Sequence, residues 1–331
     1  MAERYALGVD FGGTKVLAAV VDVESGQVLG SSKKKSNASD SPDELMERIY
    51  DSGEAAIRDA KIGKKFDIIG IGVGIAGQVD TGRGVLIGTP NLSQATLELP
   101  IVDLLRKHFG VPAALRNDVQ IAAMGEARFG AGKDTADFLC VFVGTGIGGS
   151  LVRKGELVTG ASGSAGEIGH LTIDAGGRLC GCGGRGHLEA YASRTAMTRA
   201  LLGELKRGRS TLLTDLMPDL EGDASSGTAI RSGVLAKAVA AGDELVIETI
   251  TEAGHYLGLG LASAMNLLNP GLIILGGGVI EALDLLFDVA ANQARREALP
   301  VAATSVKIVK AGLGDNSGVV GAALLGAQAA G

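Results

Sequence analysis

The densest chemistry in this sequence falls in a short stretch of its first two-thirds. Gly166-Glu167-Ile168-Gly169-His170 is followed by Cys180-Gly181-Cys182-Gly183-Gly184-Arg185-Gly186-His187-Leu188-Glu189. Two cysteines one residue apart, with a histidine on either side, offer two thiolates and two imidazoles, a donor set suited to tetrahedral Zn2+. The glycines between them let the chain wrap tightly around an ion. Two of the three cysteines and two of the four histidines lie in this window, which argues against unrelated buried side chains. Cys140 stands in an apolar strand and reads as core. The second chemical pair is Asn117-Asp118, between an expected strand and an expected helix. Either residue can cap that helix. An aspartate there can also take the proton of a hydroxyl under attack. The pair alone leaves both readings open.

Three glycine-rich turns accompany these groups. Asp10-Phe11-Gly12-Gly13-Thr14-Lys15 follows an apolar strand, so its backbone N–H groups can face a phosphate while Asp10 holds Mg2+ directly or through water. It lacks the Gly-Lys-Ser/Thr ending of a Walker loop and leads into a strand rather than a helix. Alone it reads equally well as a hairpin turn with a surface carboxylate. Gly144-Thr145-Gly146-Ile147-Gly148-Gly149 also follows a strand and precedes another, which argues against a dinucleotide fold; paired with the first turn, it reads as a second phosphate clamp. In Asn269-Pro270-Gly271 and Leu275-Gly276-Gly277-Gly278 a strand ends in glycines that leave room for a flat adenosine. Taken by itself, that segment is a strand-to-helix connection.

The elements that must position these groups follow from pattern. Strands are expected over Tyr5–Val9, Val16–Val23, Ile68–Ile75, Val111–Leu115, Phe138–Val143, Ser150–Val152 and Leu272–Leu275. Ser41-Pro42-Asp43-Glu44 is a helix start, with a capping serine, proline at the first position and acidic residues in the first turn. Further helices are expected over Ile101–Phe109, Leu235–Ala241, Asp243–Leu268 and Ser317–Ala330, with loop or short helices over Lys206–Gly233. Two strand–turn–strand units, each followed by helices, indicate two related α/β domains.

Composition bounds the function classes. The 331 residues suit two domains of about 150 residues each. With 46% hydrophobic and 21% charged residues, the chain can bury a large core. A net charge of -6 gives no general attraction to nucleic acid or anionic membrane. The one basic run, Lys33-Lys34-Lys35, reads as a solvated strand end or turn. The cysteine pattern is not a disulfide framework, residues 1–10 lack a signal-peptide pattern, and Leu257–Ile280 is broken by Asn266, Asn269, Pro270 and glycines. A cytoplasmic location is expected.

In their order along the chain, and over nearly its whole length, the five segments resemble the ROK family of bacterial sugar kinases and repressors. The resemblance implies an actin-like, ribonuclease-H-type α/β fold of two domains with a central interdomain cleft. Residues 1–117 plus a terminal helix at about 313–331 would form the smaller domain, and residues 118–312 the larger one with the zinc loop. It further implies ATP-dependent phosphorylation of a hexose, with glucose to glucose 6-phosphate the favoured reaction. An N-acylhexosamine (N-acetylglucosamine or N-acetylmannosamine) or fructose would be the alternative acceptor.

By the same resemblance Asp118 would be the general base. Gly77, Asn91, Asn117, Asp118, Glu167, His170 and Glu189 would line the sugar. Asp10, Gly12, Gly13, Thr14, Lys15, Gly144, Thr145, Gly146 and Gly277 would face ATP and its Mg2+. A structural Zn2+ would be held by His170, Cys180, Cys182 and His187. The chain departs from the family at His187, which stands for a third cysteine, at Ala76 for a common proline, at Gln94 for a common tryptophan, and at Val119-Gln120 for Ala-Asn.

A reading of a different class is a sugar-sensing transcriptional regulator without its DNA-binding domain. The family's repressors carry that domain as an N-terminal extension, for which the start of the first turn at Asp10 is expected to leave no room. An actin-like ATPase that moves rather than phosphorylates is disfavoured by the Glu167, His170 and Glu189 cluster. The expected partners are a small sugar and ATP, with no nucleic acid or membrane, in a homodimer or homotetramer.

Overall fold

The computed structural model describes residues 4–12, 15–35, 41–61, 68–89, 93–218 and 230–331. The chain divides into two compact units, one of Met1–Asp137, Ser150–Gly166 and Ala311–Gly331, the other of Phe138–Gly149 and Glu167–Lys310.

The first unit is built on strands β1 (Tyr5–Phe11), β2 (Lys15–Asp22) and β3 (Val28–Lys35), followed by helix α1 (Pro42–Asp59). The serine before α1 accepts from the Glu44 N–H while the Glu44 carboxylate accepts from the Ser41 N–H, a reciprocal cap with Pro42 inside the first turn. Next come β4 (Ile71–Ile75), the short pair β5 (Gln78–Asp80) and β6 (Val85–Gly88), α2 (Ile101–Phe109), β7 (Ala113–Asn117) and α3 (Asp118–Phe129). The main sheet has the order β3-β2-β1-β4-β7, with β1 antiparallel to β2 and parallel to β4, which is parallel to β7. Leu7, Val9, Ile71, Val73 and Leu115 pack with Leu45 and Ile49 of α1 and Leu105 of α2.

The opposite face of that sheet receives α12 (Ser317–Ala330). Its approach is unusually close: a Cβ on Gly72 would sit 1.8 Å from the Ala322 carbonyl oxygen, and one on Gly8 would sit 2.0 Å from that of Val319. These glycines serve helix-on-sheet contact rather than a ligand.

The remaining strands are β8 (Phe138–Val143), β9 (Ile147–Arg153), β10 (Glu156–Val158), β11 (Leu272–Gly276) and β12 (Lys307–Lys310), in a sheet of order β10-β9-β8-β11-β12. Both five-stranded sheets therefore run third, second, first, fourth, fifth in the chain order of their strands. Around the second are α4 (Glu189–Ala192), α5 (Arg194–Lys206), α6 (Leu213–Leu216), α7 (Ser232–Ala240), α8 (Glu244–Leu268), α9 (Gly278–Ala282), α10 (Asp284–Glu297) and α11 (Pro300–Ser305). The longest, α8, starts on Asp243, whose carboxylate accepts from the Val246 N–H, and stops at Asn269 in the left-handed conformation.

Candidate active site

In the first unit the carboxyl ends of three parallel strands come level. Phe11, Ile75 and Asn117 are paired across β1, β4 and β7, so Asp10, Ala76-Gly77 and Asn117-Asp118 emerge at one edge. Ligands of open α/β sheets bind at such an edge. Asn117 is the N-cap of α3: its Oδ1 accepts from the N–H groups of Val119 at 2.9 Å and Gln120 at 3.2 Å. Its Nδ2 donates to the Gly77 carbonyl at 3.0 Å, and the second amide hydrogen remains for a ligand. Gly77 has φ 150°, and a Cβ there would lie 2.4 Å from the Gly88 carbonyl oxygen, so no side chain fits. Gln120 donates to the Gly163 carbonyl at 2.8 Å.

Asp10 is electrostatically the most perturbed group here. Burial pushes its carboxyl up to about 7, the negative charges of Asp118 and Asp315 add to that, and Lys15 opposes it. Lys15 in turn lies 3.2 Å from Asp315, and Lys33 lies 3.6 Å from the same carboxylate. Burial raises Asp315, but the two lysines outweigh it and hold the group below its ordinary range. Burial and the charges of Asp118 and Asp315 disfavour a bare carboxylate at Asp10, and a divalent cation would relieve that cost, so Asp10 fits as its ligand. Gly12 donates its N–H to the Lys15 carbonyl at 2.9 Å, closing the turn. Gly13, Thr14 and Asn91 lie outside the described residues.

The second unit holds the other glycine turns and the Cys/His cluster. Gly144 donates its N–H to the Gly146 carbonyl at 2.9 Å, making a tight turn between β8 and β9. Gly277, at φ 89°, comes so near the end of β8 that a Cβ would sit 2.5 Å from the Val143 carbonyl oxygen. The third glycine turn is therefore packed beside the second. Glu189 accepts from the Ile147 N–H at 2.9 Å through one oxygen, and its other oxygen lies 3.7 Å from the Cys180 sulfur. Glu167 keeps part of its side chain in solvent, yet the surrounding protein pushes its carboxyl up; His170 opposes the shift and Glu189 adds to it. Glu167, His170 and Glu189 therefore share one electrostatic neighbourhood.

His170 faces two ways. Its Nε2 is 4.0 Å from the Glu167 carboxylate and its Nδ1 is 3.9 Å from the Cys180 sulfur. Cys182 Sγ is 3.2 Å from His187 Nδ1. The donor atoms of His170, Cys180, Cys182 and His187 all lie within 4.8 Å of one another. Edges of a tetrahedral zinc site with these donors are about 3.3–3.8 Å, so the set fits the ion with small movements. Burial, with the neighbouring Cys182 and Glu189, pushes the Cys180 thiol up to about 11, the state expected of a thiol site before a cation stabilises the thiolate.

The profile of the ROK family matches residues 6–329. The chain belongs to the ROK family. The glucokinase of Halalkalibacterium halodurans is 32% identical over 323 residues, covering 97% of this chain and 94% of that protein. A ROK family glucokinase from Streptomyces griseus, solved with glucose and AMPPNP, superposes with a TM-score of 0.79 at 32% identity, covering 98% of this chain and 99% of that one. The DNA-binding transcriptional repressor Mlc of Escherichia coli is 28% identical over 312 residues, covering 94% of this chain and 73% of the repressor. This ROK protein has the actin-like ATPase fold of the ROK sugar kinases.

Three side chains escaped the sequence reading. Asp315 before α12 and Arg194 at the start of α5 bear on the turns, and Glu126 of α3 holds the segment before α12, through partners 49 to 300 residues away. No local motif marks them. The only available signal was a charged residue in an otherwise small and apolar run around Glu126.

Proposed function

We propose that the protein is an ATP-dependent sugar kinase that phosphorylates glucose at its 6-hydroxyl. The observation that carries this reading is the bond from the Ile147 N–H to Glu189. It ties the Glu167, His170 and Glu189 cluster, which has the chemistry to bind sugar hydroxyls, to the edge of a phosphate-type turn. The likeness to glucokinases, one of them solved with glucose and AMPPNP, supports the same conclusion.

In this reading Asp118 accepts the hydroxyl proton as the sugar oxygen bonds to the γ-phosphorus and the bond to the β-phosphate oxygen breaks, releasing ADP. Asp10 would hold Mg2+, whose charge when bound would offset that on the transferring group. Lys15 and Gly12 bind phosphate, as do Gly13 and Thr14, which lie outside the described residues, and Gly144, Thr145, Gly146 and Gly277 bind the nucleotide. Asn117 spends its amide on capping α3 and on Gly77, which fixes the strand edge, and offers its remaining N–H to the sugar; Asn91, outside the described residues, is a further expected sugar ligand. His170, Cys180, Cys182 and His187 would hold a structural Zn2+. Bound there, the ion would fix the orientation of His170, whose Nδ1 lies on the Cys180 side and whose Nε2 lies on the Glu167 side.

Among the described residues no helix is long and apolar enough to cross a membrane. The reading places the protein in the cytoplasm as a homodimer or homotetramer that binds no nucleic acid. The deciding experiment is kcat/KM with ATP and Mg2+ across glucose, mannose, fructose, N-acetylglucosamine and N-acetylmannosamine, with glucose expected first. A value for glucose a hundredfold below another sugar would overturn the choice of substrate. Sugar binding with no sugar-dependent ADP release would favour the regulator reading, to which the likeness to Mlc also points.

A further inference from the structure

The Gly144–Thr145 turn is fastened to the start of α5 at several points. The Arg194 N–H donates to the Gly144 carbonyl at 3.0 Å. The Thr195 hydroxyl donates to the Thr145 carbonyl at 2.7 Å. The Arg194 guanidinium reaches back and donates through Nη2 to the Thr145 hydroxyl oxygen at 2.8 Å. Ser193 caps the helix by accepting from the Ala196 N–H at 3.1 Å, so the positive end of a 13-residue helix begins at this turn.

What marks Arg194 is burial without a counter-charge. Arg178, Arg207 and Arg209 of the same unit each pair with a glutamate. Arg194 is half-buried, and among the described residues it makes no ion pair. Its Nε is buried without a hydrogen-bond partner. Burial accordingly disfavours its charged form. A desolvated cation with an unused donor is costly unless an anion arrives to meet it. Because the guanidinium occupies a lone pair of the Thr145 oxygen, the hydroxyl proton of Thr145 is turned toward some other acceptor. One Nη2 hydrogen is engaged and Nε is enclosed, so the remaining Nη hydrogens are the ones a ligand can meet.

We propose that Arg194 is a donor-binding residue that holds a phosphoryl oxygen of the nucleotide at the Gly144–Thr145 turn, together with the Thr145 hydroxyl. This rests on the kinase reading for the identity of the ligand but not for its chemistry, which is that of a nucleoside polyphosphate. The turn supplies neutral N–H groups, and Arg194 supplies the full positive charge that a chain of phosphates requires.

The test is calorimetric titration of the full-length protein with AMPPNP and Mg2+, and separately with adenosine and with glucose. Arg194→Ala is expected to weaken AMPPNP by about thirtyfold, the scale of one lost charge-assisted hydrogen bond. Arg194→Lys should recover part of that, because it restores the charge without the planar fork. Adenosine and glucose should bind as to the unaltered protein. Should Arg194→Ala fail to fold, Arg194→Gln, neutral and of similar reach, is read by the same ratio. AMPPNP affinity within twofold of the unaltered protein, or an equal loss for adenosine, would overturn the proposal. Unaltered protein that binds AMPPNP but phosphorylates no sugar would sink the kinase reading and leave Arg194 in place. Absence of AMPPNP binding to the unaltered protein would sink both.

Discussion

Replacing Glu126 with glutamine changes one atom and should be among the more damaging single changes to the first unit. The side chain is fully buried and accepts four hydrogen bonds: from Ala131 N–H at 2.7 Å and Gly312 N–H at 2.8 Å on Oε2, and from Leu313 N–H at 2.9 Å and the Ser317 hydroxyl at 2.7 Å on Oε1. A glutamine amide must point its NH2 at one of these pairs. Turned toward Ala131 and Gly312, it leaves two buried N–H groups facing donors. Turned toward Ser317, whose hydroxyl can accept, it orphans only the Leu313 N–H. The second arrangement costs less: about 1–3 kcal/mol for the orphan, plus the weakening of bonds that lose a charged acceptor. Relief of the buried charge offsets part of this, giving about 2–4 kcal/mol in all. Urea unfolding measures it, and hydrogen exchange at the amides of 131, 312 and 313 should speed up in parallel. A loss under about 1 kcal/mol with unchanged exchange at those amides would refute the clamp. The same segment carries Asp315, and Gly318 of α12 packs so closely on Asp10 that a Cβ would lie 2.5 Å from its carboxylate. Glu126→Gln should therefore also raise KM for ATP.

Asp118→Asn should leave glucose affinity intact and lower kcat by about 10²–10⁴, and near-normal turnover would remove Asp118 from the role of base. Metal analysis should find one zinc per chain; Cys182→Ser should release it and raise KM for glucose, and purified protein that takes up no zinc on titration would exclude the site. Asp10 gives a pH signature in the absence of divalent cations. Its folded pKa of about 7 lies above the unfolded 3.8, so the stability it confers is full below pH 4 and is lost as pH rises through 7. Asp10→Asn should be near-neutral for stability at pH 4 and stabilising at pH 8 by at most about 4 kcal/mol, as followed by urea unfolding. A stability difference that does not vary with pH would contradict the raised value.

What could be read from the sequence was local. The Ser41–Glu44 cap fixes the start of α1 within one turn, and the break at Asn269 ends α8 where the left-handed conformation requires it. Glycine turns after apolar strands announced the two sheets, and the Cys/His spacing announced a cluster that the fold does bring together. Boundaries drifted where glycine or proline interrupts a strand: the run expected from Ile68 pairs only from Ile71, and the one expected from Val111 pairs only from Ala113. Helix α10 escaped because its buried positions, Leu286 apart, are alanine, a weak mark of a buried face. Glu126, Arg194 and Asp315 were illegible for another reason. Their roles depend on partners far away in sequence, which only the folded chain brings near. Glycines in turns after strands are legible locally, whereas Gly8 and Gly72 let α12 press its backbone against the sheet, a contact no local pattern marks.

That contact with α12 sets an order of events during synthesis. The first unit needs residues 311–331 against β1 and β4, yet the whole of the other unit, Phe138–Gly149 and Glu167–Lys310, is made before them. At translation rates of about 5–20 residues per second, the glycine-lined face of the first sheet waits on the order of 10–30 seconds for its cover. During that interval an apolar strand face stands open beside a ribosome. The second unit has its segments complete first. The chain should therefore be most dependent on chaperones just before it ends, and changes in α12 should show in yield before they show in rate.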